Sequence, residues 1–113
     1  MKKKLTINFN DFEKMDIRVG KVVEAGMVAG SKNLIKMKVD LGEDYGVVQI
    51  LSGIAKYYQP EDLVGNNYPF IANLEPKKFM GEESQGMILV VDAPERFFLI
   101  NLDKNLKPGT IIR

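Results

Sequence analysis

The chain has 113 residues, of which 45% are hydrophobic and 27% charged, a length suited to one core and a balance typical of a globular fold. Sixteen basic against 15 acidic residues leave a formal charge of +1, so any affinity for a polyanion has to come from local arrangement and not from an overall field. With neither cysteine nor histidine, the chain is excluded from disulfide frameworks, thiol nucleophiles, imidazole acid–base chemistry and the zinc sites built on those ligands.

In chain order, Met1 followed by Lys2-Lys3-Lys4 reads as a natural start. The basic opening MKKKLTINFN leads into no apolar signal region, and no run approaches the ~20 apolar residues of a membrane span. A cytoplasmic protein with no membrane partner is the expectation. Asn10 and Glu13 have the spacing of a capping box and predict a short helix. From residue 17 to 28 the pattern changes to period two, with Ile17, Val19, Val23, Ala25 and Met27 on one face, which predicts a long strand. Gly20 and Gly26 sit where such a strand would bend into a small closed barrel.

Turn residues at 30–33 precede a strict alternation in which Ile35, Met37, Val39 and Leu41 interleave with Lys36, Lys38 and Asp40. Gly42-Glu43-Asp44 reverses the chain into a third strand over 45–51. Proline at 60, acids at 61 and 62 and glycine at 65 predict a short connecting helix. A fourth strand is predicted over 68–74 and a fifth over 87–91, the latter apolar and buried on both faces. Residues 75–85 between them, EPKKFMGEESQ, read as a long irregular loop. After a turn at Pro94-Glu95 come strand-like residues 96–101, and the apolar end 110–113 is expected to dock on the body of the protein.

This order matches an all-β fold: a five-stranded Greek-key barrel of the OB type with a short N-terminal helix, a short connecting helix and extra C-terminal strands, forming one domain over 1–113. An SH3-like barrel or small sandwich remains open. Ligands of OB barrels sit on strands 2 and 3 between the loops joining strands 1 to 2 and 4 to 5. Here those parts carry Lys36 and Lys38 on the strand, Lys32 in the first loop, and Lys77 and Lys78 in the second. Five lysines on one concave face would seat phosphates. The alternative is a solvated strand edge and a soluble loop whose charge Glu75, Glu82 and Glu83 cancel. Stacking platforms are scarce, since only Tyr45 and Phe79 lie near that face while Tyr57 and Tyr58 read as packing residues. That balance favours grasping a folded RNA by backbone and shape. Ser84-Gln85-Gly86-Met87 could meet a ribose or base edge, or could serve a tight strand entry. The acids show no paired pattern for acid–base work or for a metal.

Several linked motifs in one order carry a resemblance: DIRVGKV at 16–22, SGIAKYYQPEDLVG at 52–65, NLEPKKFMG at 73–81, SQGM at 84–87 and the ending PGTIIR. They closely resemble the tRNA-binding domain family, which includes the C-terminal extension of methionyl-tRNA synthetases, free-standing tRNA-binding proteins, cytokine-like domains of eukaryotic synthetase complexes and export-related chaperone-like proteins. The resemblance implies a non-catalytic module that binds tRNA near its outer corner, dimerises through its two terminal regions and assists a methionyl-tRNA synthetase in cis or trans. It needs no cofactor or metal, and DNA is not an expected partner. Carried over by motif, Lys77, Lys78, Ser84, Gln85 and Met87 would contact RNA, with Asn73 and Ser52 shaping the floor. The first loop departs from the family, which often has a proline, an asparagine and an acid before its lysine and leucine, whereas here the run is Val28-Ala29-Gly30-Ser31-Lys32-Asn33-Leu34. Its contacts therefore carry over less directly. The same resemblance offers a rival reading, a dimer presenting an apolar groove to unfolded polypeptide.

Overall fold

The computed structural model describes residues 2–113; Met1, where the expected domain and its natural start begin, lies outside the described residues. The helix α1 (Phe9–Glu13) opens the order. Asn8 caps it, not Asn10: with an extended backbone at φ −85° and ψ 167°, Asn8 accepts the Asp11 N–H on its side-chain oxygen at 2.9 Å. Asn10 lies within the helix.

The strand β1 (Ile17–Met27) pairs antiparallel with β2 (Ile35–Asp40), and β2 with β3 (Val47–Ser52). β2 behaves as its alternation predicts, burying Ile35, Met37 and Val39 and leaving Lys36, Lys38 and Asp40 half-buried. β1 departs from its expected single inner face. Val22 lies opposite Val39 and Glu24 opposite Lys38, so Val23 is an extra residue that switches the alternation. Gly20 and Val22 face the core before this bulge and Ala25 packs against it after, while Val23 is 43% exposed. A Cβ at Gly20 would lie 2.5 Å from the Phe70 ring and 2.7 Å from Val39, so that crossing admits no side chain. Gly26 has open space beside it and no such requirement.

A short helix α2 (Pro60–Leu63) follows, with proline in its first turn and Leu63 fully buried. Next, β4 (Asn67–Ile71) is buried along its whole length between β1 and β7 (Met87–Ile88). The sheet runs β3-β2-β1-β4-β7, a nearly closed antiparallel barrel of five strands. Its interior is filled by Val22, Ile35, Met37, Val39, Ile50, Ile54, Leu63, Tyr68, Phe70 and Ile88 among others, side chains that each contribute roughly 1.5–3 kcal/mol by leaving water when fully buried.

Two further expectations need correction. Residues 75–85 form a β-ribbon, β5 (Lys77–Phe79) and β6 (Glu82–Ser84), instead of an irregular loop. Its pairs are Lys77 with Ser84, Lys78 with Glu83 and Phe79 with Glu82. Met80 and Gly81, at φ 52° and 80°, make the two-residue turn whose twist suits paired strands. The run 87–91 also divides: β7 stays on β4, while β8 (Val90–Asp92) leaves to pair with β9 (Phe97–Leu99). Because the chain changes sheets there, only one side is covered, and Met87 and Val91 are 43% and 49% exposed. The apolar C-terminus docks as expected, with β10 (Ile111–Ile112) pairing to Ile17 and Arg18 of β1.

Candidate nucleic-acid interface

The alternation of β2 turns Lys36 and Lys38 away from the core, and the ribbon β5–β6 is fastened beside them. Lys36 Nζ lies 3.5 Å from Glu82 Oε2. Gln49 of β3 donates through Nε2 to Glu82 Oε1 at 3.2 Å and to the Glu83 carbonyl at 2.9 Å. Its Oε1 accepts from Lys38 Nζ at 2.8 Å. One amide and one carboxylate thus link both strand lysines to the ribbon. Gln49 draws no notice in the sequence, and Glu82 reads there only as a neutralising loop charge, since the two stand 33 residues apart with no local pattern between them.

SQGM performs the closure of the barrel. The edge of β3 has no continuous ladder to β7, and side chains take its place. Leu51 donates its backbone N–H to Ser84 Oγ at 3.0 Å, and the Ser84 hydroxyl donates to the Gly86 carbonyl at 3.1 Å. The Gln49 N–H donates to Gln85 Oε1 at 3.1 Å, while the Gln85 N–H donates to the Gln49 carbonyl at 2.7 Å. Gly86 has φ 151°, and a Cβ there would lie 2.8 Å from the Ile71 carbonyl oxygen. Ser84 is only 3% exposed, so its hydroxyl acts through the backbone it holds. Gln85 is exposed, and Met87 is half exposed beside it.

The other sequence candidates fall as follows. Lys77 and Lys78 are exposed on β5, with Lys77 Nζ 5.2 Å from the centre of the Phe79 ring. Lys32 is exposed in the first loop, where Ser31 Oγ accepts the N–H groups of Asn33 and Leu34 at 3.2 Å each. The tip of the ribbon reaches that loop, since a Cβ at Gly30 would sit 3.4 Å from the Met80 methyl. No carboxylate among the described residues lies within ion-pair distance of Lys32, Lys77 or Lys78. Ser52 is half-buried opposite Ile35. Asn73 has its amide committed elsewhere, accepting the Asp16 N–H at 2.8 Å and donating to the Lys14 carbonyl at 2.7 Å, which ties the exit of α1 to the start of β1.

Comparison with known proteins follows this geometry. A family model described as "Putative tRNA binding domain" matches residues 17–111. The chain belongs to the tRNA-binding domain family. Among curated relatives, methionine–tRNA ligase of Thermococcus kodakarensis is 46% identical over 112 residues, 99% of this chain and 15% of that enzyme. The ligase of Archaeoglobus fulgidus is also 46% identical, over 97% of this chain and 16% of the enzyme. The chain therefore spans about one-sixth of the length of these relatives. Among solved structures, a MetRS related protein from Pyrococcus horikoshii superposes with TM-score 0.91 at 33% identity, covering 97% of this chain and all of that one. Chaperone CsaA from Bacillus anthracis gives 0.85 at 32%, covering 96% and 100%. The tRNA-binding domain is non-catalytic, in keeping with a face built of lysines and amides. No helix among the described residues is long and apolar enough to cross a membrane.

Proposed function

We propose that residues 1–113 act as one structure-specific tRNA-binding module, working as a homodimer in the cytoplasm and raising the affinity of a methionyl-tRNA synthetase for its tRNA in cis or trans. One observation carries the reading: the ribbon bearing Lys77 and Lys78 is fixed by Ser84, Gln85 and Gln49 beside the strand bearing Lys36 and Lys38, with its tip against the loop of Lys32. Cations from three separate stretches then face one ligand, as a phosphate backbone requires. Lys77, Lys78, Lys32 and the Gln85 amide make direct contacts, Met87 adds an adaptable apolar one, and Ser84 and Ser52 shape the surface beneath. Asn73 serves at one remove, by holding the N-terminal helix. Tethering such a module to a catalytic unit raises affinity through effective concentration alone.

Dimerisation is supported by apolar side chains that one copy leaves in water. Leu5 is 93% exposed, and Phe9, Met15 and Ile111 are exposed around a groove that Phe12 and Ile112 complete. Sedimentation at increasing concentration reads this directly, and a monomer throughout would remove it.

Filter binding of tRNA across several salt concentrations tests the main reading. Log affinity falls with log salt by about 0.7–0.9 per phosphate contact, and Lys77→Ala/Lys78→Ala loses about two contacts' worth of slope. Binding that ignores salt, or equal binding by variant and parent, removes the reading. The likeness to CsaA and the same apolar groove support a second one, retention of unfolded polypeptide. Its signature is binding of a reduced, unfolded protein that salt and the lysine variant leave unchanged.

A further inference from the structure

The segment after β3 leads from the lysine face to a second cationic corner. The Ala55 N–H donates to the Asn33 carbonyl at 3.1 Å, so this segment is joined to the loop that carries Lys32. Beyond Ala55 lie Lys56 and Tyr57, and across from them the turn between β8 and β9 brings in Arg96. The Arg96 guanidinium carbon sits 4.6 Å from the centre of the Phe98 ring, 5.0 Å from Tyr57 and 5.3 Å from Tyr58. Its Nε donates to the Phe97 carbonyl at 3.1 Å. Although Asp92 and Glu95 belong to the same turn, no carboxylate among the described residues lies within ion-pair distance of Arg96 or Lys56. Lys56 Nζ lies 5.9 Å from the Tyr57 ring, and Phe97 meets that ring edge-on at 6.0 Å and 86°.

A guanidinium held by rings and not by an acid keeps its charge and its remaining N–H groups for an outside anion. Tyr57 is steadied by Arg96 near its ring and by Phe97 against its edge, and the exposed Lys56 is a flexible side chain that can leave a ring face to a base. We infer that the RNA surface continues past the lysine face onto the Lys56–Tyr57–Arg96 corner, where an unpaired nucleotide seats its phosphate on Arg96 and Lys56 and stacks its base on Tyr57. This rests on the tRNA-binding reading and supplies what the lysine face lacks, an aromatic surface for stacking.

Filter binding of unfractionated tRNA at several salt concentrations tests it, with Lys56→Gln, Arg96→Gln and Tyr57→Leu beside Lys77→Gln/Lys78→Gln. Lys56→Gln and Arg96→Gln each lower the salt slope by about 0.7–0.9. Tyr57→Leu weakens binding by about 5- to 100-fold at any one salt concentration with the slope unchanged. Lys56 is exposed and makes no hydrogen bond within the described residues, so its variant keeps the thermal midpoint of the parent and remains informative even if Arg96→Gln or Tyr57→Leu disturbs the fold. Unchanged slopes for Lys56→Gln and Arg96→Gln, with the Lys77/Lys78 variant still impaired, overturn the extension and leave the tRNA reading standing. A parent that shows no salt-dependent binding removes both.

Discussion

The backbone N–H of Leu51 and the buried hydroxyl of Ser84, 3.0 Å apart and 33 residues distant in sequence, join the open edge of β3 to the entry of β7. Removing that hydroxyl leaves a buried donor without an acceptor, which costs about 1–3 kcal/mol. Ser84→Ala is therefore expected to lower the unfolding free energy read from urea titration by that amount and to weaken tRNA binding by loosening the ribbon. Unaltered stability would mean that the edge is closed by other bonds.

Gly86 tolerates no side chain for a related reason. Its φ of 151° disfavours an L residue, and a Cβ would press on the Ile71 carbonyl, which belongs to the backbone of β4 and cannot swing aside. Gly86→Ala is expected to cost more than about 1–3 kcal/mol, combining strain with steric overlap. A thermal midpoint within a degree of the parent would contradict the close approach.

At the centre of the lysine face, Glu82 works against anion binding. It pairs with Lys36, and both side chains are more than one-third exposed, so the pair is worth no more than about 1 kcal/mol to the fold. Glu82→Gln should leave stability nearly unchanged, raise tRNA affinity several-fold at low salt and steepen the salt dependence by freeing Lys36. Lower affinity would mean that Glu82 holds the ribbon through its charge.

Stability should bend at both ends of the pH range around one cluster. Asp16 loses some solvation by burial, which raises its pKa, but the hydrogen bond from Arg18, that from the Tyr45 hydroxyl at 2.5 Å and the Arg18 charge together outweigh it and hold the carboxyl below 3.8. A depressed carboxyl stabilises the fold above its unfolded pKa and loses that contribution as pH falls through the folded value. The loss therefore sets in below about pH 4. The bond to Asp16 raises the Tyr45 phenol, with burial and the Asp16 charge adding to it. That contribution is complete below about pH 10 and is lost as pH rises further. Urea midpoints measured against pH should show both limbs, and Asp16→Asn should flatten the acid one. An acid limb that survives this change belongs to other carboxyls.

Met80 holds a left-handed backbone at φ 52° with its side chain exposed. Asparagine adopts that conformation more readily, as two-residue ribbon turns prefer, so Met80→Asn is expected to stabilise by about 1 kcal/mol. Should the variant unfold earlier, the Met80 methyl against Gly30 contributes more than its strained backbone costs.

Much of the barrel was legible because its strands announce themselves. The alternation of residues 34–41 gave β2, its buried face and the outward Lys36 and Lys38 directly. β1 was half legible, since a bulge at Val23 depends on the partner strand and leaves no trace in the period of β1 alone. The ribbon was hidden for a different reason. EPKKFMGEESQ has no apolar alternation, and what orders it is a set of side-chain bonds to Gln49 and Leu51 that local sequence cannot show. SQGM reads either as a ligand contact or as a tight strand entry, and three of its four residues, Ser84, Gln85 and Gly86, take part in closing the sheet. The Arg96 cluster leaves no local signal: Tyr58 packs against the core as its reading implies, and the cation among the tyrosine rings stands about 40 positions away.

The pairing of Ile111 and Ile112 with Ile17 and Arg18 brings the two extremities of the chain to one pole, where Phe9 and Arg113 line the same groove. Lys36 lies across from Gly26, nine residues further along β1, a span of up to about 30 Å in extended chain. Asn73 lines that groove too and stands four residues before Lys77, so chain joined at this pole would leave Lys36 and Lys38 clear and pass closer to the ribbon.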